Sequence, residues 1–244
     1  LVVHPCDRRG VDFIAGVTRF AERQKLRGVI LLPPVSENDA LIRALRNIEC
    51  DYIRVASAEV DEPARMVASN DRLAVVEAAN YLESLGHRRI GYIAGPAGHR
   101  SAIERREGFI GALAQRGVTV PDEMIVEGGY TYESGLSCAE KLLRQSPQPT
   151  AIFASNDEMA AGVYRAAGNM GLSIPRDLSV VGFDDGPIAA RLLPSLTTIR
   201  LPIRDIYRQA ALKLISTDPA LGSGSGSLIV PHLVVRDSCQ PPAR

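Results

Sequence analysis

The sequence predicts an α/β fold built on a parallel, doubly wound sheet, or on two of them. Three observations carry this. Short apolar runs recur along the 244 residues, and each run is essentially continuous rather than alternating, as strands covered on both faces are. Longer amphipathic stretches separate the runs. Several of those stretches end on a glycine, the residue that most readily takes the left-handed turn that closes a helix. The length suits one large α/β domain or two sub-lobes of on the order of 110–130 residues each.

Taken in order, Arg27–Leu32 reads as a strand stopped by Pro33-Pro34, and Tyr52–Ala56, Ile90–Ala94, Ala151–Ala154 and Leu178–Phe183 read the same way. Helices fill the intervals. Asp71–Leu85 sets Leu73, Val76, Ala79 and Leu82 three apart on one stripe before Gly86, and Ala102–Arg116 ends at Gly117 in the same manner. Ser155-Asn156-Asp157-Glu158 has the spacing of a capping box opening the helix that carries Met159, Val163 and Ala167. A helix over about Ile203–Ser216 and a final strand, Leu228–Val235, flank the Gly222–Ser227 tract, which reads as a flexible connection.

Composition excludes several classes. Hydrophobic residues make up 45% and charged residues 23%, as in ordinary globular chains. Lys+Arg and Asp+Glu both number 28, and a formal net charge of zero argues against a nucleic-acid clamp within these residues. No apolar run reaches the roughly 18–20 residues of a membrane helix, and the apolar opening Leu1-Val2-Val3 stops at His4-Pro5 rather than forming a signal peptide. Cys6, Cys50, Cys138 and Cys239 form no CxxC pair and read as free thiols of a reducing cytoplasm.

In open α/β sheets, ligands bind beyond the carboxyl ends of the strands. Standing there are Asn156 and Asp157 after Ala154, Asp184 and Asp185 after Phe183, and Arg105 in the helix that follows the Gly95–Gly98 turn. Tyr130 sits beside Gly128-Gly129. Carboxylates, an amide, a guanidinium and one ring are what is needed to hold a hydroxyl-bearing small molecule. Enzyme signatures are missing: there is no GxSxG elbow, no GxxxxGK phosphate loop, and Gly91-x-x-x-Gly95-x-x-Gly98 lacks the GxG of a dinucleotide site. His4, His87, His99 and His232 show no metal-ligand spacing. A hard cation or an acid–base pair on Asp157, Asp184 and Asp185 remains the catalytic alternative.

Six ordered segments extend the reading: Gly86–Pro96 (GHRRIGYIAGP), Glu104–Phe109 (ERREGF), Ser155–Gly162 (SNDEMAAG), Ile174–Asp185 (IPRDLSVVGFDD), Leu196–Arg200 (LTTIR) and Leu233–Ser238 (LVVRDS). In this order and spacing, over nearly the whole chain, they resemble the effector-binding core of a lactose-repressor/galactose-repressor (LacI/GalR) family transcription regulator. The resemblance implies two doubly wound parallel-sheet lobes of the periplasmic-binding-protein-like type I, with the first strand and helix of lobe 1 missing and Leu1–Asp7 as its second strand. It implies an N-terminal lobe of residues 1–87 plus 201–222 and a C-terminal lobe of 88–200 plus 228–240. The effector cleft lies between them, with crossovers near His87, near Arg200 and in the Gly-Ser tract.

Carried over by position, Arg105, Asn156 and Asp184 match the family's effector contacts, and Tyr130 falls where an aromatic packs on the sugar. The usual Asp-Asn order at the start of the 71–85 helix is reversed here, as Asn70-Asp71. The implied protein is a cytoplasmic homodimer without catalytic residues, metal, cofactor or membrane contact. It takes a small effector, a sugar or sugar derivative with a purine as the other candidate. Operator DNA is bound by a helix-turn-helix headpiece absent from this sequence. The alternative is a periplasmic sugar-binding transport protein.

Overall fold

In a computed structural model describing residues 2–6, 10–58, 61, 63–216 and 228–243, packing separates two units, Leu1–Ser69 with Ile203–Ile229 and Asn70–Pro202 with Val230–Arg244. The first unit contains α1 (Phe13–Arg23), β1 (Gly28–Leu31), α2 (Asp39–Asn47), β2 (Asp51–Ala56) and β3 (Met66–Ser69). After the second unit's elements, it is completed by α7 (Ile203–Ile215) and β9 (Leu228–Ile229). The four strands pair in parallel in the order β1-β2-β3-β9. Phe13, Val17, Leu41, Leu45 and Tyr52 form part of its core. Arg54 interrupts the apolar run of β2 yet stays buried, because its guanidinium donates to the Ser36 carbonyl (2.6 Å) and to Asp39 (3.1 Å). Residues 2–6 carry no strand, in contrast to the strand expected over Leu1–Asp7.

The second unit contains α3 (Asp71–Ser84), β4 (Ile90–Ala94), α4 (Arg100–Gln115), β5 (Ile125–Glu127), α5 (Tyr132–Leu143), β6 (Ala151–Ala154), α6 (Asp157–Asn169), β7 (Ser179–Asp184), β8 (Thr197–Arg200) and β10 (His232–Val234). Its sheet runs β10-β8-β7-β6-β4-β5, parallel except for β10, which lies antiparallel to β8. From β4 the chain moves outward to β5 and returns to β6 on the other side of β4. Right-handed crossovers therefore put α4 and α5 on opposite faces, and the β4/β6 boundary is the switch point where such sheets bind ligands. Stacked Tyr92 and Phe153 (centroids 5.5 Å apart) with Phe109 (4.5 Å from Phe153) fill the core beneath it.

Glycine sets how closely the helices approach. A Cβ on Gly108 would lie 2.5 Å from the Arg72 carbonyl oxygen of α3, and one on Gly162 would lie 2.4 Å from both the Leu136 nitrogen and the Tyr132 oxygen of α5. These motif glycines let α4 meet α3 and α6 meet α5 backbone to backbone.

Several local expectations are corrected. The buried stripe of α3 is Asp71, Ala74, Val75, Ala78, Ala79 and Leu82, and Leu73 is half exposed. At Gly108 of α4 this face presents the Arg72 backbone and Val75. That packing also places α3 with the second unit, so the boundary falls between Ser69 and Asn70, where the sequence reading had carried the first lobe to residue 87. The cap of α6 is Asn156, whose side chain accepts from the Met159 N–H, and not Ser155. Ser155 instead donates to the Ile93 carbonyl. The expected last strand is two strands in different sheets, because Val230-Pro231 lies between β9 and β10 and a proline cannot donate to a ladder. The Gly-Ser tract lies outside the described residues.

Two substitutions on α6 test the close approach. Gly162→Ala is expected to destabilise by about 1–3 kcal/mol through backbone overlap. Gly168→Ala, where no atom lies within 4 Å of the added carbon, should stabilise by about 0.5 kcal/mol through helix propensity. Urea unfolding midpoints of the two variants should therefore move in opposite directions.

Candidate functional site

The polar residues at the strand ends of the second unit meet at its switch point. Arg105 projects from the second turn of α4 and is buried with its partner: they are 6% and 1% exposed, and Arg105 Nε donates to Asp71 Oδ2 at 2.8 Å. Its Nη1 donates to the Ser155 carbonyl at 2.6 Å, and its Nη2 lies 4.0 Å from Asp184 Oδ1. The guanidinium lies 3.5 Å from the centroid of the buried Phe183 ring, a cation–π contact that removes water from one face. Burial works against the charge on Arg105, but Asp71 and Asp184 outweigh it and hold its pKa above the ordinary value.

Asp184 ends β7 with φ at 112°, and Asp185 follows at 56°. Two consecutive non-glycine residues at positive φ are uncommon and are sustained only by their surroundings. The Asp184 carboxyl is about one-third exposed, and burial, with Asp71 adding to it against Arg105, pushes its pKa up to about 6. Asp185 accepts from Arg200 and Arg236 at 2.5 Å each. Asn156 opens α6: its Oδ1 takes the Met159 N–H, and its Nδ2 donates to the Tyr130 carbonyl at 3.0 Å. Tyr130, also at positive φ (62°), has its hydroxyl 3.2 Å from Ser101 Oγ and its ring over Gly95, where a Cβ would sit 2.1 Å from the ring. The Arg105 guanidinium is 6.0 Å from that ring's centroid.

The four residues singled out from the sequence thus form one cluster, with part of Asn156's hydrogen-bonding capacity already used in capping. Two further residues join it, of which only Asp71 goes unmarked by the strand-end rule. Asp71 looked like a helix-start residue, and its reversed order with Asn70 was the one available signal. Asp157 is the second. Its Oδ1 accepts from Thr198 Oγ1 (2.6 Å) and its Oδ2 from the Gly186 N–H (2.8 Å), while burial pushes its pKa up to about 7. Among the described residues no group of three or more His, Cys, Asp or Glu is arranged to hold a metal, and no described helix is long and apolar enough to cross a membrane.

The arrangement is suited to recognition: fixed donors and acceptors of both charges beside an aromatic ring, on elements held by buried contacts. One consequence is pH dependence. A carboxyl whose pKa rises on folding binds more protons in the folded state, so its stabilising contribution is complete below about pH 4 and is lost as the pH rises through about 7. Asp157→Asn, whose amide oxygen still accepts from the Gly186 N–H while its Nδ2 donates to Thr198 Oγ1, should gain Tm relative to the parent between pH 5 and pH 8. Parallel melting curves that keep a constant offset over that interval would show that Asp157 does not titrate there.

Comparison with known proteins places these features in context. The model of the periplasmic binding protein-like domain family matches residues 79–239. The chain is 34% identical over 208 residues to the probable HTH-type transcriptional repressor ExuR of Bacillus subtilis, covering 85% of this chain and 62% of that protein. It is 35% identical over 217 residues to the HTH-type transcriptional repressor CytR of Escherichia coli K12, covering 88% and 63%. The chain therefore spans somewhat less than two-thirds of the length of these relatives. Among solved structures, a LacI family transcriptional regulator from Enterococcus faecium with bound ribose superposes with a TM-score of 0.80 at 25% identity, covering 96% of this chain and 85% of that one.

Proposed function

We propose that this chain, which belongs to the periplasmic-binding-protein-like family in the form carried by LacI-family repressors, is the effector-binding core of a ligand-responsive transcription regulator. The observation that carries the reading is the Arg105–Asp184–Asn156–Tyr130 cluster at the switch point, four side chains of complementary chemistry within one hydrogen-bonded and aromatic neighbourhood. The effector is a sugar or sugar derivative. Adjacent hydroxyls suit a carboxylate that accepts and a guanidinium that donates, and a pyranose or furanose face suits the Tyr130 ring. A purine is the second candidate for the same groups. The ribose held by the Enterococcus faecium regulator supports the sugar.

The protein acts by linkage and not by catalysis. Asp157 binds Thr198 and Gly186, and Asp185 binds two arginines, so both carboxylates serve to position the turn after β7. The effector binds one arrangement of the core better than another, and a 100-fold preference supplies a coupling of about 2.7 kcal/mol. Operator DNA is contacted by a helix-turn-helix headpiece outside these residues, in a cytoplasmic homodimer. The repressor names of the relatives favour this reading over a transport protein.

The test begins with a thermal-shift screen of sugars and purines, in which a ligand at 100 times its Kd raises stability by about 2.7 kcal/mol. Arg105→Ala is a poor probe, since it leaves Asp71 buried without its ion-pair partner at a cost of about 3–5 kcal/mol. Asp184→Asn is isosteric and partly exposed. It is expected to weaken the identified ligand at least tenfold, a loss of about 1.4 kcal/mol, with little change in ligand-free Tm. Unchanged affinity by calorimetry removes Asp184 from the site.

A further inference from the structure

We infer that a single relay of ion pairs links the effector residues to all three places where the chain passes from one unit to the other, with Asp185 as its central positioning residue. This rests on the effector-binding reading above.

The passages fall at Ser69/Asn70, Pro202/Ile203 and Ile229/Val230. Each has an ion pair to the switch-point cluster within a few residues. Just past the first passage, Asp71 is the buried partner of Arg105. Just before the second, Arg200 at the end of β8 donates its Nε to Asp185 Oδ2 at 2.5 Å. Following the third, Arg236 donates Nη2 to Asp185 Oδ1 at 2.5 Å and Nη1 to the Leu196 carbonyl at 2.7 Å. One carboxylate, 7% exposed, thus holds the two antiparallel strands β8 and β10 that lead into and out of the first unit.

Asp185 is also the immediate neighbour of Asp184, and the turn they form cannot move independently. Its next residue, Gly186, gives its N–H to Asp157, which follows Asn156 and takes the Thr198 hydroxyl of β8. Both aspartates sit at positive φ, so the backbone here holds its conformation because these contacts over-determine it. A ligand that engages Arg105 acts on Asp71 at the first passage. A ligand that engages Asp184 acts, through the 184–186 turn, on Arg200 and Arg236 at the other two. The short, charge-assisted bonds to the buried Asp185 and Asp71 carboxylates make this connection stiff.

The experiment is hydrogen exchange on the ligand-free protein, comparing the parent with Asp185→Asn and Asp184→Asn. Asp185→Asn is expected to speed exchange at residues 198–201 and 232–236 about tenfold or more while the core amides of 151–154 keep their protection. Asp184→Asn should leave those strands at the parental rate. Faster exchange spread equally into 151–154 would mean that Asp185 only supports the fold, and no change at either strand would mean that the clamp is not operating; both overturn the relay. Should Asp185→Asn fail to fold, Arg200→Gln, at a half-exposed position, replaces it with the same expected pattern and the same two overturning outcomes.

A parallel titration with D-ribose and a purine panel keeps the two ideas separate. No ligand for the parent protein would sink the effector reading, while the ligand-free exchange result still decides the relay. With a ligand in hand, Asp185→Asn should bind within tenfold of the parent yet lose the ligand-induced change in protection at the passages. Persistence of that change would also overturn the relay.

Discussion

The buried pair of Arg105 and Asp71 is the constraint around which the second unit's strand-end cluster is organised. Neither ion is tolerable alone at this depth, and their attraction repays desolvation only because further bonds are made. The Ser155 carbonyl and the Phe183 ring supply those partners for Arg105. Once the pair is set, α3 is fixed against α4, the end of β6 is fixed through Ser155, and a guanidinium edge is directed towards Asp184. A charge that holds secondary structure together is thereby also a charge presented at the carboxyl ends of the strands.

Glycine makes that geometry attainable. The Arg105 side chain reaches Asp71 because Gly108, one turn further along α4, lets the helix backbones touch. Gly162 does the same for α6 against α5, which brings Asn156 beside Tyr130. Motif glycines that looked like punctuation in the sequence act as spacers of near-zero width. Tight helix pairs place polar ends at defined distances in a way that looser packing with bulkier residues would not.

The cluster also shows how completely polar strand-end residues can be integrated with their support. Asn156 caps a helix with one end of its amide and holds Tyr130 with the other. Asp157 ties the turn after β7 to β8, and Asp185 ties it to two arginines. Scaffold bonds and switch-point groups alternate along the same few residues of chain.

Much of this was legible in the residues themselves. The apolar runs Ile90–Ala94 and Ala151–Ala154 are strands at those boundaries, because a strand covered on both faces admits few other compositions. The carboxyl-end rule found Arg105, Asn156, Asp184 and Tyr130, since parallel topology dictates where polar ends gather. What periodicity could not reveal was which face of α3 is buried, where one unit gives way to the other, that Asp71 belongs to the cluster, or that Asp157 is tied to Thr198. Those depend on contacts between segments far apart in the chain: Asp71 meets Arg105 across 34 positions, and Asp157 meets Thr198 across 41. Local sequence determines which elements form and which ends are polar. Only the tertiary structure decides which charges meet, because an ion pair is specified by the folded path of the chain and not by the neighbours of either residue.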